Sequence, residues 1–235
     1  MDAEEVLGEQ RRYYEDRAPE YDDWFLRRGR YDRGPAETQR WRHDLEEVTR
    51  VFDGVDWRGR RVLEMAPGTG WWTERLLDAG ASRVTALDAS PAMLAQLARR
   101  LGARADRVDP VVGDLFDYVA GDRFDAVLFG FWLSHVPRAR LQRFFQSAAD
   151  SLDDHGAIFF VDSRRVESST ASDHVLPETS SEVMVRRLDD GREYRIVKNF
   201  YEPEEIEEVA AGVGLDLEVI TTSTYFIVGS GEKVR

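Results

Sequence analysis

Residues 61–80 read Arg-Val-Leu-Glu-Met, then Ala-Pro-Gly-Thr-Gly, then Trp-Trp-Thr-Glu-Arg-Leu-Leu-Asp-Ala-Gly. A short apolar run ends in an acid, two glycines make a turn, and a segment with helical spacing follows, stopped by Gly80. Such a strand–turn–helix unit leaves the free N–H groups of the helix facing the strand's carboxyl end. Gly68 and Gly70 let the backbone approach a ligand where a Cβ would collide. Few folds accommodate this unit, and nearly all of them are layered α/β structures.

The alternation continues downstream. Val84–Leu87 reads as a second strand, and Pro91–Leu101 as a helix with Ser90 as N-cap and Pro91 in its first turn. Pro110–Val112 is a third strand. Asp125–Gly130 is a fourth, apolar after its first residue as in strands buried on both faces. A helix over 138–152 and a strand over 157–161 follow. The pattern predicts a Rossmann-like, doubly wound parallel sheet with helices on both faces and a ligand crevice at the strands' carboxyl ends. Upstream, two helices are expected at 3–28 and 36–52, broken by Gly29 and the Gly34-Pro35 pair. Downstream, 163–182 carries little periodicity and reads as a mobile loop. Next come a hairpin of 183–188 and 193–200 around Asp189-Asp190-Gly191, a helix over 204–211, and strands over 215–220 and 224–228. The expected organisation is one domain in three parts: 1–54, 55–162 and 163–235.

Composition excludes several classes. With 32 Lys plus Arg against 45 Asp plus Glu, the net charge of −13 argues against a nucleic-acid surface. It favours a small neutral or cationic substrate over a polyanion. Zero cysteines removes disulfides, thiolate metal sites and Cys nucleophiles. No His and acid cluster has metal-ligand spacing, so no metal is expected. The longest uncharged apolar stretch, Ala126 to Val136, is too short to cross a bilayer, and a cytoplasmic protein is expected.

A Gly-x-Gly turn serves two cofactor classes. A dinucleotide site wants a third glycine where Thr73 stands. Glu64 brings a carboxylate to the turn, which suits an ammonium and repels a pyrophosphate. Asp88 ends the second strand, where a carboxylate accepts from ribose hydroxyls. Asp114 follows the third strand and offers an acceptor for an exocyclic amine. These carboxylates fit an adenosine that carries an amino acid and no phosphate. Simpler accounts compete: glycines as turn chemistry, Asp88 as a helix cap, Met93 as core.

In these residues the chain resembles the class I S-adenosylmethionine-dependent methyltransferases. Glu64-x-Ala66-x-Gly68-x-Gly70 is similar to the family's E/D-x-G-x-G-x-G, with Ala66 in place of the first glycine. Asp88-Ala89-Ser90-Pro91-Ala92-Met93-Leu94 resembles the ribose-binding D-x-S-x-x-M-L, and Gly113-Asp114 the adenine-amine motif. Tyr14-x-x-x-Ala18-x-x-Tyr21-Asp22 resembles the start of small-molecule members whose N-terminal helices lid the cofactor. The resemblance implies a seven-stranded sheet with its last strand antiparallel, S-adenosylmethionine as cofactor with S-adenosylhomocysteine as product, and a small-molecule acceptor. It assigns cofactor contacts to Tyr21, Glu64, Ala66, Gly68, Gly70, Asp88, Ala89, Met93, Asp114, Leu115 and Phe129. Tyr13, Trp24, Phe131 and Trp132 are expected to wall the acceptor, with Tyr14 and His135 as catalytic candidates. An imidazole with its ordinary pKa near 6.5 can take a proton from a hydroxyl or ammonium. N- or O-methylation in specialised metabolism is the expected activity. A quinone-type ring C-methyltransferase, a non-catalytic cofactor-binding domain and a dehydrogenase are the alternatives.

Overall fold

A computed structural model of the chain describes residues 3–178 and 180–234. The first expected helix is two, α1 (Ala3–Arg17) and α2 (Tyr21–Phe25). Pro19 explains the break, since it has no N–H to continue the ladder and turns its predecessor away from helical backbone. Next come α3 (Pro35–Asp53), β1 (Arg61–Met65), α4 (Trp71–Asp78), β2 (Arg83–Asp88), α5 (Pro91–Leu101), β3 (Val108–Val112) and β4 (Phe124–Gly130). The Ser90 side chain accepts from Met93 N at the start of α5, as its sequence position predicts. The chain continues through α6 (Leu141–Ser151), β5 (Leu152–Ser163), β6 (Val183–Arg187), β7 (Glu193–Val197), α7 (Pro203–Ala211), β8 (Leu215–Thr221) and β9 (Phe226–Lys233).

Seven strands form one sheet in the order β3-β2-β1-β4-β5-β9-β8, with β6 and β7 paired separately. The first five run parallel, and β9 lies antiparallel between β5 and β8. Met65 pairs with Leu87 on one side and Phe129 on the other, so β1, β2 and β4 end level. Strand order reverses between β1 and β4, which opens a crevice at their carboxyl ends. Two apolar clusters cover the two faces of the sheet, α3, α4 and α5 on one and α6 and α7 on the other. A third, smaller cluster joins Tyr13 of α1 to Met184, Leu188 and Ile196 of the hairpin.

After β5 the chain runs as a loop with one short 3₁₀ turn, Glu167–Ser169, and the first part of this loop is tied to the N-terminal segment. Arg27 donates to the carbonyls of Ser168 and Ser169, Arg33 to those of Thr170 and Ala171, and Trp24 Nε1 to Ser169 O at 2.8 Å. Guanidinium groups from the N-terminal segment supply the backbone partners that a strand or helix otherwise would.

Candidate active site

The turn after β1 alternates left-handed residues, with φ of 57° at Ala66, 56° at Gly68 and 87° at Gly70. A Cβ on Gly70 would stand 2.9 Å from Leu97 Cγ, so α5 packs against the turn only because that residue is glycine. The Tyr21 ring lies over Gly68, 3.7 Å from where its Cβ would be. Asp22, the next residue, accepts from Thr69 Oγ1 at 2.6 Å and from Trp71 Nε1 at 3.0 Å, which ties α2 to the turn.

Around this turn lies a pocket that opens to solvent. Tyr14, Tyr21, Ala66, Gly68, Asp88, Ala89, Met93, Asp114, Leu115, Phe131, Trp132 and His135 line it. Asp88 accepts from Gly68 N at 3.1 Å and Ser90 N at 2.9 Å; burial still pushes its carboxyl up to about 6. Glu64 is 1% exposed beneath the turn. Its Oε2 accepts from Thr73 Oγ1 at 2.6 Å, while its Oε1 is buried with no partner among the described residues. Burial pushes this carboxyl up to about 8, with the Asp88 charge adding to the effect. The orphaned oxygen needs a donor, and an incoming ammonium is one. Asp114 caps Phe116 N through Oδ1 at 2.9 Å and takes Arg11 Nη1 on Oδ2 at 2.6 Å. The residues present therefore fit an adenosyl group bearing an amino acid.

A second cavity adjoins the first, and Tyr14, Tyr21, Phe131 and His135 line both. Its character is cationic, opposite to the protein's net charge. Lys198 is buried; its Nζ donates to Ser134 Oγ at 2.7 Å and lies 3.8 Å from Asp162. Burial holds its ammonium down to about 8 against the pull of Asp162, with Arg186 and Arg17 adding to the depression. Arg17 sits in a ring of Tyr13, Tyr21 and Tyr31 at 5.5, 4.8 and 5.8 Å. Arg186 donates to Thr170 Oγ1 at 2.7 Å and to His174 Nδ1 at 2.9 Å. Burial and that guanidinium hold His174 down to about 3. Among the described residues, neither Arg17 nor Arg186 makes an ion pair, and the Nε of each is buried without a partner.

His135 is buried where the cavities meet. Its Nδ1 lies 2.7 Å from Val197 O and its Nε2 2.7 Å from Tyr14 Oη. Burial and the nearby Lys198 charge push its pKa well below the usual range.

Most residues singled out in the sequence converge here, with some redistribution. Trp132 lines the first cavity and Trp24 the second, while Phe131 lines both. Glu64 and Gly70 lie just beneath the lining. Phe129 lies outside it, fully buried and stacked on Phe160. Tyr13 lies outside both cavities, packed on the hairpin. Sequence reasoning missed Arg11, Arg17, Arg186, Lys198 and Asp162. One signal was available: Lys198 is one of two lysines in a chain whose other 30 basic residues are arginine. Among the described residues no group of three or more His, Asp or Glu could hold a metal, and no helix is long and apolar enough to cross a membrane.

Comparison with known proteins agrees with this geometry. A family model described as a methyltransferase domain matches residues 62–156. A structure of the DhpI–SAH complex is 30% identical, covers 99% of each chain and superposes with a TM-score of 0.79. A DhpI–SAM–HEP complex is 33% identical over 98% of this chain and 99% of that one, with a TM-score of 0.76. The 1,6-didemethyltoxoflavin-N1-methyltransferase of Burkholderia thailandensis, at 18% identity, covers 100% of this chain and 92% of its own with a TM-score of 0.63, and shares the fold. No curated protein sequence matches. The full-length likeness to DhpI, the domain match and a glycine turn flanked by Glu64 and Asp88 place the chain among the class I S-adenosylmethionine-dependent methyltransferases.

Proposed function

We propose that the enzyme methylates a small oxyacid on oxygen, with the acceptor's anionic group held in the second cavity. The observation that carries this reading is the set of three cations lining that cavity, the buried Arg17 and Lys198 and the partly buried Arg186, against one carboxylate, Asp162, beside Lys198. Among the described residues Arg17 and Arg186 have hydroxyl, imidazole and ring partners but no carboxylate, and a ligand of opposite sign supplies the missing counter-charge. The expectation of a neutral or cationic acceptor followed the net charge of the chain; the local field at this cavity has the other sign. A ring C-methyltransferase for a quinone has less support, because the walls of the second cavity carry charge.

Within this reading, Asp88 takes the ribose hydroxyls, Asp114 the adenine amine and Glu64 the amino-acid ammonium, with Met93 beside the ring. The cofactor, when bound, supplies a methyl carried on a cationic sulfur. The chain's own task is to hold the acceptor oxygen in line at the junction and to exclude water, a positioning effect that contributes about 7–11 kcal/mol. An oxyacid is already ionised near neutral pH, so its oxygen attacks without a base. α1 and α2, with Arg186 of the β6–β7 hairpin, form one side of the cavities.

Labelled methyl transfer to a panel of carboxylates, phosphonates, phenols and amines tests the proposal. The oxyacids should be methylated. Lys198→Met should raise the acceptor KM about tenfold or more, the equivalent of about 1.4 kcal/mol, while leaving cofactor affinity in place. Methylation of amines alone, with Lys198→Met indistinguishable from the parent enzyme, would overturn it.

A further inference from the structure

We propose that His135 is a positioning residue that acts through Tyr14, turning the Tyr14 hydroxyl into an acceptor-only oxygen at the junction of the two cavities, where it holds the cofactor's methyl group. The tautomer follows from the partners. A carbonyl only accepts, so the contact to Val197 O requires the hydrogen on His135 Nδ1. The other nitrogen, Nε2, then carries a lone pair, and Tyr14 Oη at 2.7 Å must be the donor to it. With its one hydrogen spent on the imidazole, Tyr14 has only lone pairs left to offer the space beside it, and it lines both cavities.

The arrangement is held from behind. Gln10 and Tyr14 stand four residues apart on one face of α1. Gln10 Nε2 donates to His135 O at 3.2 Å, and Val197 N donates to Gln10 Oε1 at 2.9 Å. One helix face thus grips the backbone and the ring of His135 together, and β7 fixes its Nδ1 side. The charged groups that face the imidazole are cations: Arg17 from α1, Lys198 following β7 and Arg186 from β6, with Asp162 of β5 paired to Lys198. They keep the ring neutral, and burial keeps the Tyr14 phenol protonated. A base at Nε2 would have to break the Tyr14 hydrogen bond first.

A methyl on a positively charged sulfur has polarised C–H bonds, and an oxygen lone pair attracts them where a hydroxyl hydrogen would repel them. The product lacks both the methyl and the charge. Tyr14 should therefore separate S-adenosylmethionine from S-adenosylhomocysteine in binding, before any turnover. The inference rests on the junction being the transfer point. It is independent of the acceptor's identity, because the binding comparison needs no acceptor.

The experiment is calorimetry with both ligands on the parent enzyme, Tyr14→Phe, His135→Phe and His135→Gln, with melting curves to confirm folding. Tyr14→Phe should weaken S-adenosylmethionine about three- to tenfold and leave S-adenosylhomocysteine within about twofold. His135→Phe frees the hydroxyl hydrogen and should shift the ratio the same way. His135→Gln, whose amide can donate to Val197 O and accept from Tyr14, should restore it. Nitrogen-15 shifts of the unaltered protein should show Nε2 unprotonated, with no titration between about pH 5 and 8. Equal weakening of both ligands in Tyr14→Phe would overturn the inference. So would an imidazole that titrates near pH 6.5 together with a rate that follows it.

Discussion

Glu64 carries the clearest unmet demand at the level of single side chains. One oxygen has the Thr73 hydroxyl and the other has no partner among the described residues, at full burial. Glu64→Gln keeps the shape and removes the charge, so the ligand-free variant should melt no earlier than the parent. It should also bind S-adenosylmethionine at least about tenfold more weakly, since the ammonium loses its counter-charge. An earlier melt with unchanged affinity would make Glu64 a packing residue. Glu64 and Asp88 both have folded pKa values above their ordinary ones, at about 8 and about 6. Through these two carboxyls the folded, ligand-free protein holds protons between about pH 4 and 8 that the unfolded chain has released, so their contribution to stability falls as pH rises through that window. His135 and His174, held below the ordinary imidazole range, act in the opposite direction at its acid end. A bound ammonium and ribose hydroxyls favour the ionised carboxyls. Cofactor binding should therefore release protons and tighten from about pH 6 to pH 8. Calorimetry in buffers of different ionisation enthalpy measures this, and proton uptake would contradict it. Glu64 and Asp88 were legible because strand ends and glycine turns leave a local signature. Thr73 stood where a third glycine was sought, and nothing local says that its hydroxyl reaches back to Glu64.

The elements that were legible are those whose cause is local. Ser90 before Pro91 gives α5, and Asp190-Gly191 gives the hairpin of β6 and β7. What stayed hidden is pairing across long separations. Gln10 meets Val197 and Glu9 meets Arg195, nearly the length of the chain apart, and no spacing rule connects them. The ties on the loop after β5 are hidden for the same reason, because the arginines that hold it lie about 140 residues upstream. The contact between α1 and the hairpin has a measurable result. Deleting residues 1–32 removes Tyr13 from the small cluster and the α1 partners of β7, Glu5, Glu9, Gln10 and Asp16. Hydrogen exchange should show protection lost over 183–197 and kept over 61–65 and 124–130. Cofactor binding should fall with it, since Tyr14 and Tyr21 are gone. A truncated protein with a protected hairpin and full activity would show that α1 is dispensable.

Across the whole molecule, an acidic exterior encloses a small cationic chamber, so net charge is a poor guide to what the chamber takes. The order of the sheet also differs from the order of the chain. β9 follows β8 in sequence yet lies between β5 and β8, with seven paired positions on each side. During synthesis β5 therefore presents an unpaired edge, Ile158 to Val161 among it, until residues 226–233 have left the ribosome. Everything needed for the cofactor turn is complete some seventy residues earlier, so the nascent chain passes through a stage with a finished half-sheet and one sticky border. Chains arrested with residues up to 221 exposed should bind trigger-type chaperones and aggregate on release, and a further twelve residues should suppress both. Equal solubility at the two lengths would show that β8 or α7 shields the border in the meantime. For expression this makes loss of the last strand a failure of yield before it is a failure of catalysis.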